Sequence, residues 1–199
     1  MDNILDSILS QIDKNTLEVI GQQANISPDK AQNALKSAIP ILMSALARNS
    51  STPEGASALQ NAVAKDHDGS LLDNLGALLG KKEVIDDGAG ILKHILGNKQ
   101  GNVEQYLSKN SGLDSAAIAK ILKMAAPIVM GYLGKKSNAG SNTGIIGDLL
   151  NSYLNTQTKK SRKSQGMINQ ILDRDGDGNI MDDIGELGIS FLGKMLKKK

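Results

Sequence analysis

The fold of this chain is decided by the stretch Lys36-Ser-Ala-Ile-Pro-Ile-Leu-Met-Ser-Ala-Leu46, which the sequence contains twice. It returns as Lys123-Met-Ala-Ala-Pro-Ile-Val-Met-Gly-Tyr-Leu133, and a shift of 87 positions aligns Pro40 with Pro127. The same shift, without a gap, aligns a second set of apolar residues: Ile4, Leu5, Ile8 and Leu9 match Ile91, Leu92, Ile95 and Leu96. An ungapped match of this length indicates a duplicated structural unit.

Each copy is predicted to be a long apolar helix. Ser27-Pro28 before the first copy is typical of a helix start, with serine as the N-cap and proline at the first helical position, and Asp114 is the cap before the second copy. Apolar residues then recur every three or four positions. Pro40 and Pro127 lie inside this pattern, where a proline removes a backbone donor and clashes with the preceding turn. We therefore expect both helices to be kinked, as a fixed bend rather than a hinge.

The composition favours an all-α fold. The chain has 199 residues, enough to bury a core as one domain or as two small ones. It has no cysteine or tryptophan and only 2% aromatic residues, so the core must be built from Leu, Ile, Val, Ala and Met. The alternation typical of strands is nowhere sustained. We predict a multihelical protein with two pseudo-repeated units and a C-terminal helix–loop–helix.

Turn-forming and polar stretches divide the chain into four predicted segments. These are a first repeat unit (1–82), a second repeat unit (83–155), a polar linker (156–166) and the helix–loop–helix segment (167–199). Ser70-Leu-Leu-Asp73 is predicted to be a capping box that opens a helix to Leu79. Asp86-Asp87-Gly88 is expected to interrupt the helix of Glu83–Leu96, and Ile145–Leu154 is predicted to be the last helix of the second unit.

Two motifs resemble those of a known family. They are the central pattern Ala38-x-Pro-Ile-x-Met-x-x-Leu46 and the stretch Asp68-Gly-Ser-Leu-Leu-Asp-Asn-Leu-Gly76 that follows it. Together with the duplication and the glycine-rich, aromatic-poor composition, they resemble the bacterial YidB-like family, domain of unknown function 937, over roughly residues 1–155. The resemblance implies an all-helical fold and a bacterial source, and it implies no activity.

The strongest chemical signal is the acidic stretch Asp173-Arg-Asp-Gly-Asp-Gly-Asn-Ile-Met-Asp-Asp183. Calcium takes six to eight oxygen ligands, and carboxylates at the first, third and fifth positions converge on one point when a glycine follows at the sixth. Asp173, Asp175 and Asp177 hold those positions, and Asn179 offers its backbone carbonyl at the seventh. The stretch resembles an EF-hand or dockerin-type loop and predicts one Ca²⁺ site with these residues and Asp183 as ligands.

The end of this loop departs from the pattern. The twelfth position should carry a bidentate carboxylate and instead holds Ile184, so the closing ligand would have to be Asp183, in a shortened loop, or Glu186. The alternative is that the acids only cap a helix N-terminus, where negative charge is favoured. Clustered carboxylates repel one another without a metal, which favours calcium at 173–183. In the similar stretch Asp66–Asp73, capping is the favoured interpretation.

Catalytic groups are scarce. The chain has two histidines, His67 and His94, and each is interpreted as exposed or locally satisfied. We expect a non-enzymatic scaffold or interaction protein that binds an unknown protein partner, and its spare apolar stripes are compatible with a homo-oligomer. The N-terminal residues do not resemble a signal peptide, and the longest apolar run, Met124–Leu133, is far shorter than the roughly 20 residues of a membrane span. A cytoplasmic protein is therefore expected.

Two other binding functions remain open. The basic runs Lys159–Lys163 and Lys197–Lys199 are compatible with phosphate contacts to nucleic acid, although arginines and stacking aromatics are few. The predicted amphipathic helix Ile184–Leu196, followed by lysines, is compatible with contact to a membrane surface. The lysines are also explained by a solvated linker and by the favourable placement of cations at a helix C-terminus.

Overall fold

Nine α-helices make up most of the part of the chain that this computed structural model describes, namely residues 4–138 and 145–160 with Gly166, Ile168, Ile171 and Leu172. In chain order they are α1 (Ile4–Leu9), α2 (Lys14–Ala24), α3 (Pro28–Asn49), α4 (Pro53–Asp66), α5 (Leu75–Leu78), α6 (Lys82–Leu96), α7 (Gln100–Ser111), α8 (Ser115–Asn138) and α9 (Ile145–Lys160). Short 3₁₀ turns lie at Ser70–Asn74 and Gly97–Lys99. These residues include no strand, which confirms the all-α multihelical prediction.

The duplicated sequence has helix boundaries at equivalent positions in the two copies. The shift that aligns Pro40 with Pro127 also aligns the first residue of α3, Pro28, with the first residue of α8, Ser115. The preceding helices, α2 and α7, both end in a left-handed residue, Asn25 with φ 57° and Gly112 with φ 68°. Glycine and asparagine are the residues that adopt this conformation most readily, so each copy has a suitable residue at its tight turn.

In both copies a residue of the helix before this turn lies close to the equivalent backbone carbonyl after it. A Cβ atom on Gly21 would lie 2.8 Å from the backbone oxygen of Ile26, so only glycine fits there without a shift. At the equivalent place in the second copy, the Ser108 hydroxyl donates to the backbone oxygen of Leu113 at 2.6 Å. One copy therefore satisfies the close approach by omitting a side chain, and the other by a hydrogen bond.

Helix starts follow the predicted caps. Ser27 accepts from the amide of Lys30 at 3.4 Å, and Asp114 accepts from the amide of Ala117 at 2.7 Å. Such side-chain acceptors satisfy amide donors that have no partner in the first turn of a helix. The two long helices therefore begin where the sequence predicts.

The centre of the molecule is the pair α3 and α8, which pack against each other. All residues of 41–47 in α3 and of 124–134 in α8 are buried, so the two copies share one hydrophobic core. Both internal prolines lie within uninterrupted helices. By length and composition α8 is apolar enough to cross a membrane, but 78% of its most apolar window is buried within the protein.

The remaining helices surround this pair. α2 and α7 each contact both central helices, α6 packs along α8, and α9 covers α3 and α8. α9 buries Ile146, Leu150 and Tyr153 and continues to Lys160, so it is longer than the predicted helix of Ile145–Leu154 and reaches into the segment predicted to be a linker. The four segment limits remain predictions.

The predicted interruption at Asp86-Asp87-Gly88 is wrong, because α6 is continuous from Lys82 to Leu96. Gly88 serves close packing instead: a Cβ atom there would lie 1.8 Å from the backbone oxygen of Lys123 in α8. Pro127 has no N–H to donate to this carbonyl, its acceptor four residues earlier in the helix. The glycine thus lets α6 approach α8 at the carbonyl that the proline leaves without a helical donor.

The predicted capping box at Ser70–Asp73 is also wrong. Ser70 begins a 3₁₀ turn with no side-chain cap, and α5 starts only at Leu75. The Asp73 carboxylate does not reach back to the Ser70 amide, because it pairs with Lys135 of α8 at 3.0 Å. The Ser70 amide donates instead to the Asp68 carboxylate at 2.9 Å, two residues back, which is an Asx-turn.

Candidate interaction groove

The predicted calcium ligands lie outside the described residues. This applies to Asp173, Asp175, Asp177, Asn179 and Asp183, so the calcium loop stays a prediction. The last described residue, Leu172, immediately precedes the loop in sequence. It is the described residue nearest in sequence to the predicted ligands.

Leu172 is anchored on the helical body. Its side chain is buried, and its amide donates to the backbone oxygen of Ile168 at 3.0 Å, as in a helical turn. Its backbone oxygen accepts from the Arg48 guanidinium at the end of α3 and from Lys99 Nζ at 3.4 Å. Leu172, the residue before the predicted loop, is thus attached to α3 and to the turn before α7.

The second acidic stretch, Asp66–Asp73, lies within the described residues, and its carboxylates have different partners. The Asp68 carboxylate accepts from Ser70, and this hydrogen bonding lowers the pKa of Asp68. Asp73 turns toward Lys135, and the amide of Asn138 donates to the backbone oxygen of Asp68 at 2.8 Å. Within the described ranges no group of three or more metal-binding side chains is found. The stretch makes a turn and holds it against α8.

An apolar groove lies between α4 and α6. It encloses about 570 Å³. Its floor is formed by buried apolar side chains from three helices, its walls by small or apolar residues, and its ends by polar ones. The lining residues are Leu46, Asn49, Gly55, Ala58, Leu59, Ala62, Asp66, His67, Asp87, Gly90, Ile91, His94, Ile95 and Met130.

Asn49, the last residue of α3, fixes one end of the groove. Its side-chain amide donates to the backbone oxygens of His94 at 3.2 Å and Ile95 at 3.0 Å, near the C-terminus of α6. Its own backbone oxygen lies so close to Gly55 of α4 that a Cβ atom there would be 1.8 Å away. One residue therefore holds the ends of both walls.

His67 and Asp87 fix the opposite end. His67 Nδ1 lies 3.8 Å from Asp87 Oδ2, with the histidine side chain only 10% exposed and the carboxylate 46% exposed. The backbone of His67 is held by α8, since a Cβ atom on Gly134 would lie 1.8 Å from the His67 oxygen. A contact at each end therefore sets the spacing between the walls.

The two ends of the groove differ in charge. Asp66 and Asp87 are exposed beside His67, whereas no Asp, Glu, Lys or Arg lines the Asn49 end, which we call the neutral end. An apolar groove of this kind accepts the apolar face of an amphipathic helix. The acidic end favours a helix that carries cationic residues at the matching end.

The anchor of Leu172 lies beside the neutral end. A second cavity, of about 400 Å³, is lined by Arg48, Lys99 and Leu172. It also shares Asn49 and Ile95 with the groove. The chain therefore reaches its last described residue next to the groove.

The sequence did not reveal that the two histidines share a site. His67 follows the last residue of α4 and His94 lies on α6, and the sequence predicts only that each is exposed or locally satisfied. Both line the groove. They lie toward opposite ends of it, and no spacing rule places them in one groove, because that depends on how α4 and α6 pack on the central pair.

A duplicated set of capped helices around one shared core defines an all-α helical protein with an internal repeat. The model of a family described as bacterial protein of unknown function (DUF937) matches residues 6–136, and the chain belongs to this family. The match covers the helical body almost to the end of α8 and stops short of the predicted calcium loop. Neither the curated proteins nor the solved structures give a match.

Proposed function

We propose that the protein is a non-enzymatic helical scaffold or interaction protein whose C-terminal acidic loop binds one Ca²⁺. The single observation that supports this most is the anchored Leu172 beside the apolar groove. A metal bound in the loop after Leu172 would act on a segment that is already attached at the neutral end of the groove. Binding of calcium would thereby be coupled to the surface available to a partner.

The ligand set supports calcium rather than a softer metal. The chain has no cysteine, and the predicted ligands Asp173, Asp175, Asp177, Asn179 and Asp183 are all oxygen donors. Hard cations such as Ca²⁺ prefer oxygen ligands, and alternating carboxylates let the backbone fold around the ion. The described acidic turn at Asp68 offers a contrast, since its carboxylates are held by Ser70 and Lys135.

Calorimetric titration of the full chain with Ca²⁺ tests the proposal. We expect one binding event per chain, abolished in Asp175→Ala because the carboxylate at the third position is lost. The matched control is Asp68→Ala, which removes an aspartate from the other Asp-x-Asp-Gly stretch and should bind calcium like the wild type. No binding by the wild type, or equal losses in the two variants, would end the calcium proposal.

A further inference from the structure

We propose that the groove between α4 and α6 is the docking site of the chain's own C-terminal segment, residues 184–196. This inference extends the proposed function, since calcium in the loop 173–183 would direct the segment that follows it. It depends on where the described chain ends, on the dimensions of the groove, and on the match of apolar and charged residues.

The position of Leu172 brings the segment to the groove. Leu172 lines a cavity that shares Asn49 and Ile95 with the groove, so the chain continues from the neutral end. The eleven residues 173–183 would span roughly 36–40 Å if fully extended, and a loop folded around an ion needs much less. The segment can therefore enter at the Asn49 end.

The length of the segment fits the groove. A helix of residues 184–196 would be about 20 Å long at 1.5 Å per residue. Along the α4 wall, the groove runs from Gly55 to Asp66, or about 16 Å by the same measure. A helix that enters beside Asn49 would therefore reach the His67–Asp87 end at its C-terminus.

The apolar and charged residues of the segment also match the groove when the segment enters at the Asn49 end. The segment carries Leu187, Phe191, Leu192 and Met195 at helical spacing, Lys194 lies near its end, and Lys197–Lys199 follow it. The apolar face would cover the floor formed by Leu46, Ile91, Ile95 and Met130, and the lysines would arrive beside Asp66 and Asp87. A helix in the reverse direction would place its cations at the neutral end.

Engineered disulfide formation tests the docking, because the natural chain has no cysteine to interfere. The full-length variant Ala62→Cys with Leu192→Cys joins the middle of the α4 wall to the segment. In the presence of Ca²⁺ we expect an intramolecular disulfide that forms about tenfold faster than in the control, because docking raises the effective concentration of the two thiols. A second pair, Gly90→Cys with Leu192→Cys, probes the α6 wall at a position open to a side chain.

The matched control is Gln32→Cys with Leu192→Cys. Gln32 is exposed near the start of α3, about 25 Å along that helix from Asn49. Equal cross-linking rates in groove and control pairs would overturn the proposal. Cross-links found only between two chains would also overturn it, since the groove would then hold the segment of a second copy.

The same experiment separates docking from calcium binding. Fast intramolecular cross-links that persist in chelator, together with no heat of Ca²⁺ binding in the calorimetric titration, would support the docking proposal and contradict the calcium proposal. Heat of Ca²⁺ binding, together with equal cross-linking rates in the groove pairs and the control pair, would support the metal site and contradict the docking proposal.

Discussion

At the scale of single residues, Gly88 and Gly90 of α6 have opposite surroundings. A methyl group on Gly88 would collide with the Lys123 carbonyl of α8, whereas nothing lies within 4 Å of a Cβ atom on Gly90. The first glycine is needed for packing. The second is a helical glycine that leaves room for a side chain.

We predict that Gly88→Ala lowers the free energy of unfolding by about 1–3 kcal/mol, because it overpacks the contact between α6 and α8. Gly90→Ala is the matched control and should be neutral or stabilise by up to about 1 kcal/mol, because alanine favours a helix. Urea unfolding followed by circular dichroism measures both. Equal effects of the two substitutions would contradict the close approach at Gly88.

The sequence could not distinguish these glycines. Two aspartates followed by Gly88 are typical of a break in a helix, and this local pattern led to the wrong prediction at α6. The decisive contact is with Lys123, 35 positions further along the chain. Only the packing of α6 on α8 shows why a glycine is present.

At the scale of helices, the caps connect sequence to stability and to pH. Asp13 caps α2 by accepting from the amide of Thr16 at 2.7 Å, and these hydrogen bonds lower the pKa of Asp13. A carboxyl whose pKa is lowered by folding stabilises the folded state above its unfolded pKa. That contribution is lost as the pH falls through the lowered value.

We predict that Asp13→Asn weakens the loss of stability on acidification. Asparagine is also a good N-cap, and its amide does not titrate, so the cap persists at low pH. Thermal unfolding from pH 6 down to the acid range measures the effect: the wild type should lose more stability than the variant as the pH drops below about 4. Parallel curves for the two proteins would show that Asp13 contributes nothing to the pH dependence.

Caps were the most predictable feature because they depend on neighbours in the sequence. Ser27 and Asp114 hold the positions expected of them, since each bonds an amide three residues ahead. The capping box at Ser70 failed because Asp73 has a better partner in Lys135, which a more distant part of the chain supplies. Local rules hold until a tertiary contact competes for the same side chain.

At the scale of the whole molecule, we expect the two copies to unfold together because they share one hydrophobic core. The three tyrosines report on the second half of the chain, since Tyr106, Tyr132 and Tyr153 lie on α7, α8 and α9. Circular dichroism reports on all helices. For a two-state protein the two signals change together.

We predict that Leu42→Ala, in the first copy, shifts the tyrosine transition of the second copy as much as the circular dichroism transition. Leu42 is fully buried in α3, and its truncation should cost about 2–5 kcal/mol. Ser37→Ala, exposed on the same helix, is the control and should change stability by less than about 0.5 kcal/mol. A tyrosine transition that is unchanged by Leu42→Ala would mean that the copies fold as separate units.

The repeat itself was predictable, and its assembly was not. Apolar periodicity around Pro40 and Pro127 showed two long helices with broad apolar faces. It did not show that these faces meet each other, because periodicity identifies a buried face without its partner. The groove could not be predicted from the sequence for the same reason, since its lining comes from α3, α4, α6 and α8.

Hydrogen exchange of the full-length chain, in calcium and in chelator, tests most directly whether a metal-bound C-terminal segment acts on a fixed helical body. We predict strong and equal protection of α3 and α8 in both conditions, because their shared core does not depend on the metal. Amides in α4 and α6 that border the groove should exchange more slowly with calcium. Identical exchange of α4 and α6 in the two conditions would contradict the coupling of the acidic loop to the groove.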